Sequence, residues 1–396
     1  MRVDTGDLLA ASSETARHIN RRVILNLIRN RQPISRADLA RFSGLQRSTV
    51  SLITEELIAD RWVVEGPTGR LPRGRRPTFL RLNQQRAIIC IDIRPSRMML
   101  GVSDVNGMFS SQETIVTPAD PEIAVSELKR RLRPILDARS DTPFEGIGIS
   151  IPGRIDTTTQ QLVFAPNLRW NATDLKTSIE SETGLEVALE NAANACALAE
   201  IWFGSSGDVR SLVAITVSEG IGTGIIADGR LIRGTTGMAG EFGHVPLDPA
   251  GPLCTCGNRG CWEVLASNRA ALRYYHESAS TTDHHAQHDL AFQDLLSLAN
   301  QNDALASKAL DTMARQLGRG VRMIVGGLAP EAIVFIGEFT SAWDRFRPIL
   351  EKEVGEQTIF GPRPALMPGR DGAMARLRGT VALVLNKHFG IALPSL

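Results

Sequence analysis

The segment GEFGHVPLDPAGPLCTCGNRGCWE, residues 240–263, contains one histidine and three of the five cysteines of the chain. Its candidate metal ligands are His244, Cys254, Cys256 and Cys261. The cysteines follow a C-x-C-x4-C spacing, and three thiolates with one imidazole form the closed four-coordinate shell of a structural zinc site. Gly257 and Gly260 would let so short a loop turn back on the ion, because glycine adopts backbone angles closed to larger residues. The segment therefore predicts one structural zinc ion per chain.

Core packing and disulfide bonding are the alternative explanations of these cysteines. Three cysteines within eight residues are seldom packed together in a core. A disulfide would leave one of the three thiols over. Zinc is the explanation that uses all four side chains.

The same segment closely resembles the signature of the ROK family, which groups bacterial sugar kinases with sugar-responsive repressors. The matching residues are Glu241-Phe242-Gly243-His244, followed by Cys254-x-Cys256-Gly257-x-x-Gly260-Cys261-x-Glu263. The resemblance implies that the histidine and the cysteines hold zinc, while Glu241, His244 and Glu263 contact sugar hydroxyls. Carboxylates accept hydrogen bonds from hydroxyls in fixed directions, and a loop held by a metal would keep them in place.

The composition is that of a soluble globular protein, with 43% hydrophobic and 22% charged residues. A length of 396 residues predicts two or three domains. No apolar run approaches the roughly eighteen residues of a membrane span, and the N-terminus lacks the basic-then-apolar order of a signal peptide. We therefore expect a cytoplasmic protein with no membrane partner, in a compartment where thiols stay reduced and available to a metal.

Charge is distributed unevenly along the chain. Residues 1–86 contain sixteen Arg, no Lys and eight Asp or Glu, a net charge of +8, whereas the whole chain has +1. The remaining residues therefore sum to −7. A basic segment ahead of a mildly acidic body is typical of a nucleic-acid-binding module attached to a different domain.

Three helices are predicted within the basic segment. The first, His18–Asn30, has the predicted inner face Ile19, Val23, Leu27 and Ile28. The second begins at a capping pattern, Ser35–Asp38, and ends before a turn containing Gly44, and the third spans about Gln46–Ala59. Two helices joined by a short glycine-containing turn form a helix-turn-helix, whose second helix enters the major groove by its N-terminus. The polar residues at that end are the predicted DNA contacts Gln46, Arg47, Ser48, Thr49 and Ser51.

A basic loop connects two strands predicted after the third helix, Trp62–Glu65 and Thr78–Leu82. Its arginines are Arg70, Arg73, Arg75 and Arg76. The sequence Arg-Gly-Arg-Arg-Pro at 73–77 resembles short cores that lie in narrow A·T-rich minor grooves, where the negative potential is strongest. A solvated surface loop is the alternative. Three helices followed by such a wing resemble the winged helix that ROK repressors carry and ROK kinases lack.

The rest of the chain alternates strands with helices, which predicts sheets covered by helices. Strands are predicted at Ala87–Ile93, Leu212–Val217 and Ala332–Gly337. Two late helices, Leu317–Leu328 and Met374–Phe389, are expected to pack on the second half. The ROK resemblance extends from about Arg86 to the C-terminus and implies an α/β fold, with an actin-like (ribonuclease H-like) pair of lobes around a cleft. We expect a disordered N-terminus at 1–16, a winged helix-turn-helix DNA-binding domain at 17–85, and a two-lobed ROK sugar-binding domain at 86–396 with the zinc loop at 240–263.

Residues that ROK kinases use for catalysis are replaced at three places. The Gly-Gly-Thr turn that holds ATP phosphates is matched by Asp92–Ser96, where Pro95 has no N–H to donate. The late strand ends in Gly337-Glu338 instead of two glycines. The Glu-Asn-Asp-Ala-Asn motif, whose Asp is the general base, is matched by a segment with Ala192 at that position. A methyl group cannot accept a proton, so we expect no enzymatic activity and no catalytic residues.

The sugar pocket is predicted to persist without catalysis. Transfer of the family pattern gives the sugar-binding set Gly153, Asn167, Asn191, Glu241, His244 and Glu263. Asn167 and Asn191 could instead be turn or cap residues, the commoner role of asparagine. One ring nitrogen of His244 would hold zinc while the other faced a hydroxyl.

Together these features predict a transcriptional repressor of carbohydrate-metabolism genes. Its partners would be double-stranded operator DNA, a sugar or sugar-phosphate effector, and further copies of the chain in a homodimer or tetramer. An active ATP-dependent sugar kinase with an appended DNA-binding domain is one alternative. A repressor controlled by a protein partner is the other.

Overall fold

The computed structural model describes residues 13–68, 77–139, 142–204, 209–279, 290–355, 362–370, 372 and 374–390. The N-terminal unit comprises α1 (Ser13–Arg31), β1 (Ile34–Ser35), α2 (Arg36–Ser43), α3 (Arg47–Ala59), β2 (Val63–Thr68) and β3 (Thr78–Leu82). The first lobe comprises β4 (Ala87–Ile93), β5 (Arg97–Asp104), β6 (Phe109–Val116), α4 (Pro121–Asp137), β7 (Phe144–Ile151), β8 (Arg154–Ile155), β9 (Leu162–Phe164), α5 (Leu175–Thr183), β10 (Val187–Asn191) and α6 (Ala192–Phe203).

The second lobe comprises β11 (Leu212–Val217), β12 (Ile221–Ala227), β13 (Arg230–Ile232), α7 (Trp262–Ala266), α8 (Asn268–Ala279), α9 (Phe292–Asn300), α10 (Ala304–Leu328), β14 (Ala332–Ile336), α11 (Trp343–Gly355) and β15 (Ala365–Pro368). The last helix is α12 (Ala375–Phe389), and short 3₁₀ helices lie at Pro166–Leu168, Glu241–His244 and Glu338–Ala342.

The N-terminal unit packs α1, α2 and α3 against an antiparallel sheet of strand order β1-β3-β2. Ser35 caps α2, because its hydroxyl accepts from the Asp38 N–H and donates to the Asp38 carboxylate. This pair confirms the predicted capping pattern. Gly44 ends α2 with a φ of +70°, and α3 begins at Arg47.

The inner face of α1 differs from the prediction. Ile19 is 53% exposed, whereas Ile24, Leu25 and Ile28 are fully buried. The helix packs on α2 and α3 and also on α12, so its buried stripe is set by partners distant in sequence. It begins at Ser13, ahead of the boundary expected at residue 17. Residues 1–12 and the wing residues 69–76, with Arg70, Arg73, Arg75 and Arg76, lie outside the described residues.

The two lobes contain sheets of the same topology. Their strand orders are β10-β7-β4-β5-β6 and β13-β12-β11-β14-β15. In each sheet the central strand, β4 or β11, pairs antiparallel with the next strand and parallel with a later one. This duplicated mixed sheet is the actin-like arrangement that the family resemblance implied, and the predicted bounds of β4 and β11 are confirmed.

Helix α6 lies at the centre of the molecule. Its Cys196 and Ala197 pack on the second sheet, while Leu198 and Trp202 pack toward α12 and the N-terminal unit. Ten of its twelve residues are buried, including Asn194 and Glu200, so the helix is enclosed around most of its circumference. α12 packs on α6, β4 and β7, so the expectation that it would cover the second half was wrong. After the second lobe the chain returns to the first lobe with α12. The spacing of apolar residues in a helix does not show which lobe the helix packs against.

No helix in the described part of the chain is both long enough and apolar enough to cross a membrane.

Candidate metal centre and cleft

The four candidate metal ligands converge in the structure. One ligand atom from each of His244, Cys254, Cys256 and Cys261 lies within 4.8 Å of all the others. The Cys254 Sγ is 3.5 Å from the His244 Nδ1, and the Cys256 Sγ is 3.6 Å from the Cys261 Sγ. A tetrahedral zinc ion with Zn–S bonds of about 2.3 Å sets its sulfur ligands about 3.8 Å apart. The donor set and its spacing therefore fit a zinc ion.

The loop around this centre depends on close backbone contacts. Gly257 and Gly260 have φ of +93° and +63°, and a Cβ on Gly260 would lie 1.6 Å from the Asp248 carbonyl oxygen. Trp262, which follows the last cysteine, is fully buried and donates from its indole N–H to the Gln316 carbonyl of α10. Gly320 gives the indole ring space, since a Cβ there would lie 2.0 Å from it. Glycine contacts thus hold the loop in its turned conformation, and Trp262 holds it against α10.

Three of the predicted sugar-binding residues meet at this centre. The His244 Nε2 is 3.8 Å from a Glu241 carboxylate oxygen, and its Nδ1 is 3.6 Å from Glu263. His244 thus turns Nδ1 toward the cysteines and Nε2 toward Glu241, as a divided role requires. Burial raises the pKa of the Glu241 carboxyl, while His244 opposes the rise and Glu263 adds to it. Gly220, in the turn between β11 and β12, leaves room for Glu263, because a Cβ there would lie 2.5 Å from its carboxylate.

Asn191 is placed as a helix cap. Its Oδ1 accepts from the Ala193 N–H at 2.8 Å, and its Nδ2 donates to the Gly153 carbonyl at 2.8 Å. Asn191 is therefore a helix cap, one of the roles considered from the sequence. One Nδ2 proton and one Oδ1 lone pair remain for a ligand. Gly153 has a φ of +135°, and a Cβ there would lie 2.4 Å from the Phe164 carbonyl oxygen. Asn167 is exposed in a 3₁₀ helix, and no hydrogen bond among the described residues links its side chain to the other five predicted sugar-binding residues.

An ion pair that the sequence did not reveal crosses the cleft near this cap. The Arg233 Nε lies 2.7 Å from the carboxylate of Glu190, whose side chain is 5% exposed. Arg233 follows β13 in the second lobe, and Glu190 belongs to β10 in the first. Arg154 extends the link by donating to the Thr236 carbonyl at 3.2 Å. A buried carboxylate requires a cation or several hydrogen-bond donors as partners. Glu190 in the sequence therefore indicated that a partner exists, but only the fold shows that the partner is Arg233.

An internal ion pair lies at the segment that the family resemblance compared with the kinase phosphate turn. Asp92 is fully buried, with its carboxylate 2.6 Å from the Arg94 Nε and accepting from the Ser150 hydroxyl at 3.0 Å. Ala192 is the first residue of α6 and is 5% exposed. Glu338 accepts from the Asn268 side chain at 3.4 Å. An internal salt bridge and a methyl group thus stand at the positions that the family resemblance compared with the phosphate turn and the general base.

The predicted DNA contacts lie at the start of α3. Gln46 occupies the N-cap position, and Arg47 and Ser48 are exposed. Thr49 and Ser51 are half-buried. Leu52, which is not among the predicted contacts, is 55% exposed on the same helix.

The family model of ROK matches residues 88–387. The xylose repressor of Bacillus subtilis is 33% identical over 392 residues, which covers 96% of this chain and 98% of the repressor. The glucokinase of Streptomyces coelicolor is 33% identical over 266 residues, 65% of this chain and 83% of the kinase.

Among solved structures, a ROK family transcriptional regulator described as a homolog of the Escherichia coli MLC protein has a TM-score of 0.83 at 26% identity. It covers 95% of this chain and 98% of that regulator. A ROK glucokinase from Streptomyces griseus, solved with glucose and AMPPNP, has a TM-score of 0.67 at 29% identity and covers 75% of this chain and 98% of the kinase. The match to the family model over most of the chain and the near-complete alignment with the xylose repressor show that the chain belongs to the ROK family.

Proposed function

We propose that this protein is a DNA-binding transcriptional repressor controlled by a sugar or sugar phosphate that binds in the cleft without being phosphorylated. The observation that carries the proposal is Ala192, a methyl group at the position that matches the family's general base. General-base catalysis is typically worth about 10²–10⁴-fold in rate, and this chain has no proton acceptor there. The xylose repressor aligns with 96% of the chain, including its N-terminal unit, whereas the glucokinase aligns with 65%.

The N-terminal unit would bind the operator. α3 would enter the major groove with Gln46, Arg47, Ser48, Thr49 and Ser51 at its leading end, and the wing arginines Arg70, Arg73, Arg75 and Arg76 would contact the minor groove. Two copies of the chain would bind a palindromic site as a homodimer. Light scattering of the purified protein tests the dimer.

The cleft would bind the effector between the lobes. Glu241, Glu263 and the His244 Nε2 would hold its hydroxyls from the second lobe, and Gly153, Asn167 and Asn191 from the first. Zinc held by His244, Cys254, Cys256 and Cys261 would supply rigidity and no chemistry. A ligand held by both lobes favours one arrangement of them, and only this differential affinity can change the affinity for DNA.

A binding measurement tests this function. The full-length chain is used to enrich sites from a random duplex library, and affinity for the enriched operator is measured with a panel of sugars and sugar phosphates. We expect one compound to lower the affinity by about tenfold or more, a coupling of ordinary size. Glu241→Gln should bind the operator normally and lose most of this response. Unchanged affinity with every compound would argue against effector control.

A sugar kinase is the second candidate, favoured by the likeness to the two glucokinases. Release of ADP from ATP, measured with the same sugars, distinguishes the two functions. Turnover at an enzyme-like rate would overturn the proposal of a repressor without catalysis.

A further inference from the structure

Helix α3 has two chemically distinct faces. Its inner face, which is buried in the N-terminal unit, consists of Val50, Ile53, Thr54 and Leu57. The outward stripe consists of Ser48, Ser51, Leu52 and Glu55, at spacings of three and four residues that place them on one side of a helix. Three members of this stripe are polar. The fourth, Leu52, is 55% exposed, so the stripe presents one large apolar group to solvent.

Packing inside the N-terminal unit does not explain the exposure of Leu52. Phe42, another exposed apolar residue of this unit, is covered by cation–π contacts from Arg31 at 4.2 Å and Arg41 at 4.8 Å. Leu52 instead lies between the two serines and the glutamate of the stripe. Its position on the outside of α3 is fixed, because Thr54 on the opposite face accepts from Arg36 of α2 at 3.1 Å.

The electrostatics of the unit favour DNA at this stripe. Glu56 and Asp60 point away from it and pair with Arg17 and Arg21 of α1. Their charges are therefore largely neutralised within the unit. Glu55 is the acidic residue on the stripe itself, one turn beyond Leu52, and no acidic residue precedes it in α3.

The major groove offers one apolar partner for an exposed leucine. On the base edges in this groove, hydrogen-bond donors and acceptors contact polar side chains, whereas the C5-methyl group of thymine contacts apolar side chains. We propose that Leu52 is a specificity-determining residue that packs on the methyl group of a thymine in each half-site. This inference rests on the proposed DNA binding and adds a base preference that the polar residues of α3 do not supply.

Replacement of thymine by deoxyuridine removes only the methyl group and so isolates this contact. Operator duplexes enriched by the full-length chain are synthesised with each thymine replaced in turn. At one thymine per half-site, the wild-type protein should bind the deoxyuridine duplex about fourfold more weakly, the value of one buried methyl group. Leu52→Ala should bind both duplexes equally at that position, while Leu52→Met should keep most of the difference.

Folding does not confound the comparison, because Leu52 is exposed and alanine is the best helix former. Wild-type binding that changes less than twofold at every thymine would overturn the inference, as would equal sensitivity in Leu52→Ala or an operator with no thymine in the half-site. In those cases the proposed DNA binding stands. Failure to enrich any sequence would overturn both.

Discussion

Ala192 lies where a polar residue is easily accommodated by the backbone. It occupies the first turn of α6, next to the capping Asn191, and acidic residues are favoured in the first turn of a helix. The backbone at this position therefore does not exclude a carboxylate. The absence of a carboxylate there supports the proposed loss of catalysis, as does the Asp92–Arg94 ion pair at the segment compared with the phosphate turn.

Restoration of the carboxylate alone should not restore a kinase. In Ala192→Asp a carboxylate would be present at the position compared with the general base. Asp92 would still be paired with Arg94, and Pro95 would still lack an N–H to donate to a phosphate. We expect ADP release with any sugar of the panel to stay at the wild-type level, measured on variant protein whose thermal unfolding is still cooperative. Sugar-dependent turnover in this variant would show that one substitution separates this chain from an active enzyme.

The metal centre gives a second prediction on single residues. Cys256→Ser removes one ligand at an exposed position, so little packing is lost directly. We expect bound zinc, measured by atomic emission, to fall from about one ion per chain to well below half. The melting temperature should fall by about 5 °C or more, because metal binding contributes to folding.

Cys90→Ala is the matched control. Cys90 is buried in β4 and is no part of the cluster, so this variant should keep its zinc even where its packing is weakened. A Cys256→Ser protein that retained a full equivalent of zinc would contradict the proposed ligand set.

At the scale of elements, α6 connects the cleft to the N-terminal unit. Its first turn is capped by Asn191, and its last turn carries Trp202, over which the Arg29 guanidinium of α1 lies at 4.1 Å. Burial lowers the pKa of Arg29 to about 10, and the negative end of the helix dipole favours a cation at this point. One helix thus touches both the candidate effector site and the candidate DNA-binding unit.

Loss of this cation–π contact should weaken communication between the two sites. Cation–π contacts that are partly desolvated are worth about 1–2 kcal/mol. If α6 transmits the effect of the sugar, Arg29→Gln should reduce the sugar-induced change in operator affinity by about three- to tenfold. Arg31→Gln is the control, since Arg31 lies over Phe42 at 4.2 Å within the N-terminal unit. Equal responses in the two variants would place the coupling elsewhere.

At the scale of the whole molecule, the N-terminal unit is packed on the body. Residues of α1, α3 and β3 share one hydrophobic cluster with α12 and with Trp202 of α6. The Asn26 side chain donates to the Phe389 carbonyl at 2.8 Å, and the Gln32 side chain donates to Asn106 at 2.9 Å. An orientation fixed by packing and hydrogen bonds allows a movement of the lobes to reach the N-terminal unit.

His388 of α12, whose ring lies against Trp62 of the N-terminal unit, should make the stability of the protein depend on pH. Burial lowers the pKa of His388 to about 4, with Lys387, Arg86 and Arg21 adding to the shift and Glu186 opposing it. Glu145 lies 3.3 Å from the imidazole and favours its charged form, but Glu145 already pairs with Arg86, so we expect the lowered pKa to hold. In the unfolded chain His388 takes up a proton below about pH 6.5. The folded state binds fewer protons between pH 6.5 and 4, so stability falls as the pH is lowered through that window.

His388→Phe removes the titration and keeps an aromatic ring against Trp62, whose centroid lies 4.4 Å from that of His388. The loss of stability from pH 7 to pH 5, measured by urea unfolding, should be smaller in the variant by on the order of 1 kcal/mol. Partial solvent exposure of the imidazole limits the effect to this size. An identical loss in both proteins would mean that His388 titrates normally.

The sequence by itself determined the elements with strong local patterns. The bounds of β3, β4 and β11 follow from short apolar or alternating runs between turn signals, and the Ser35 cap follows from residues three positions apart. The candidate metal ligands could be predicted because three of the four lie within eight residues, where chain connectivity alone keeps them close.

Only the tertiary structure decided the features that join distant segments. The Glu190–Arg233 ion pair, the hydrogen bond from Asn191 to Gly153, the buried face of α1 and the position of α12 on the first sheet each depend on partners in other elements. Helical periodicity and motif spacing describe one element at a time. Which faces meet is set by the burial of apolar surface and the pairing of buried charges over the whole chain, a property of the assembled fold.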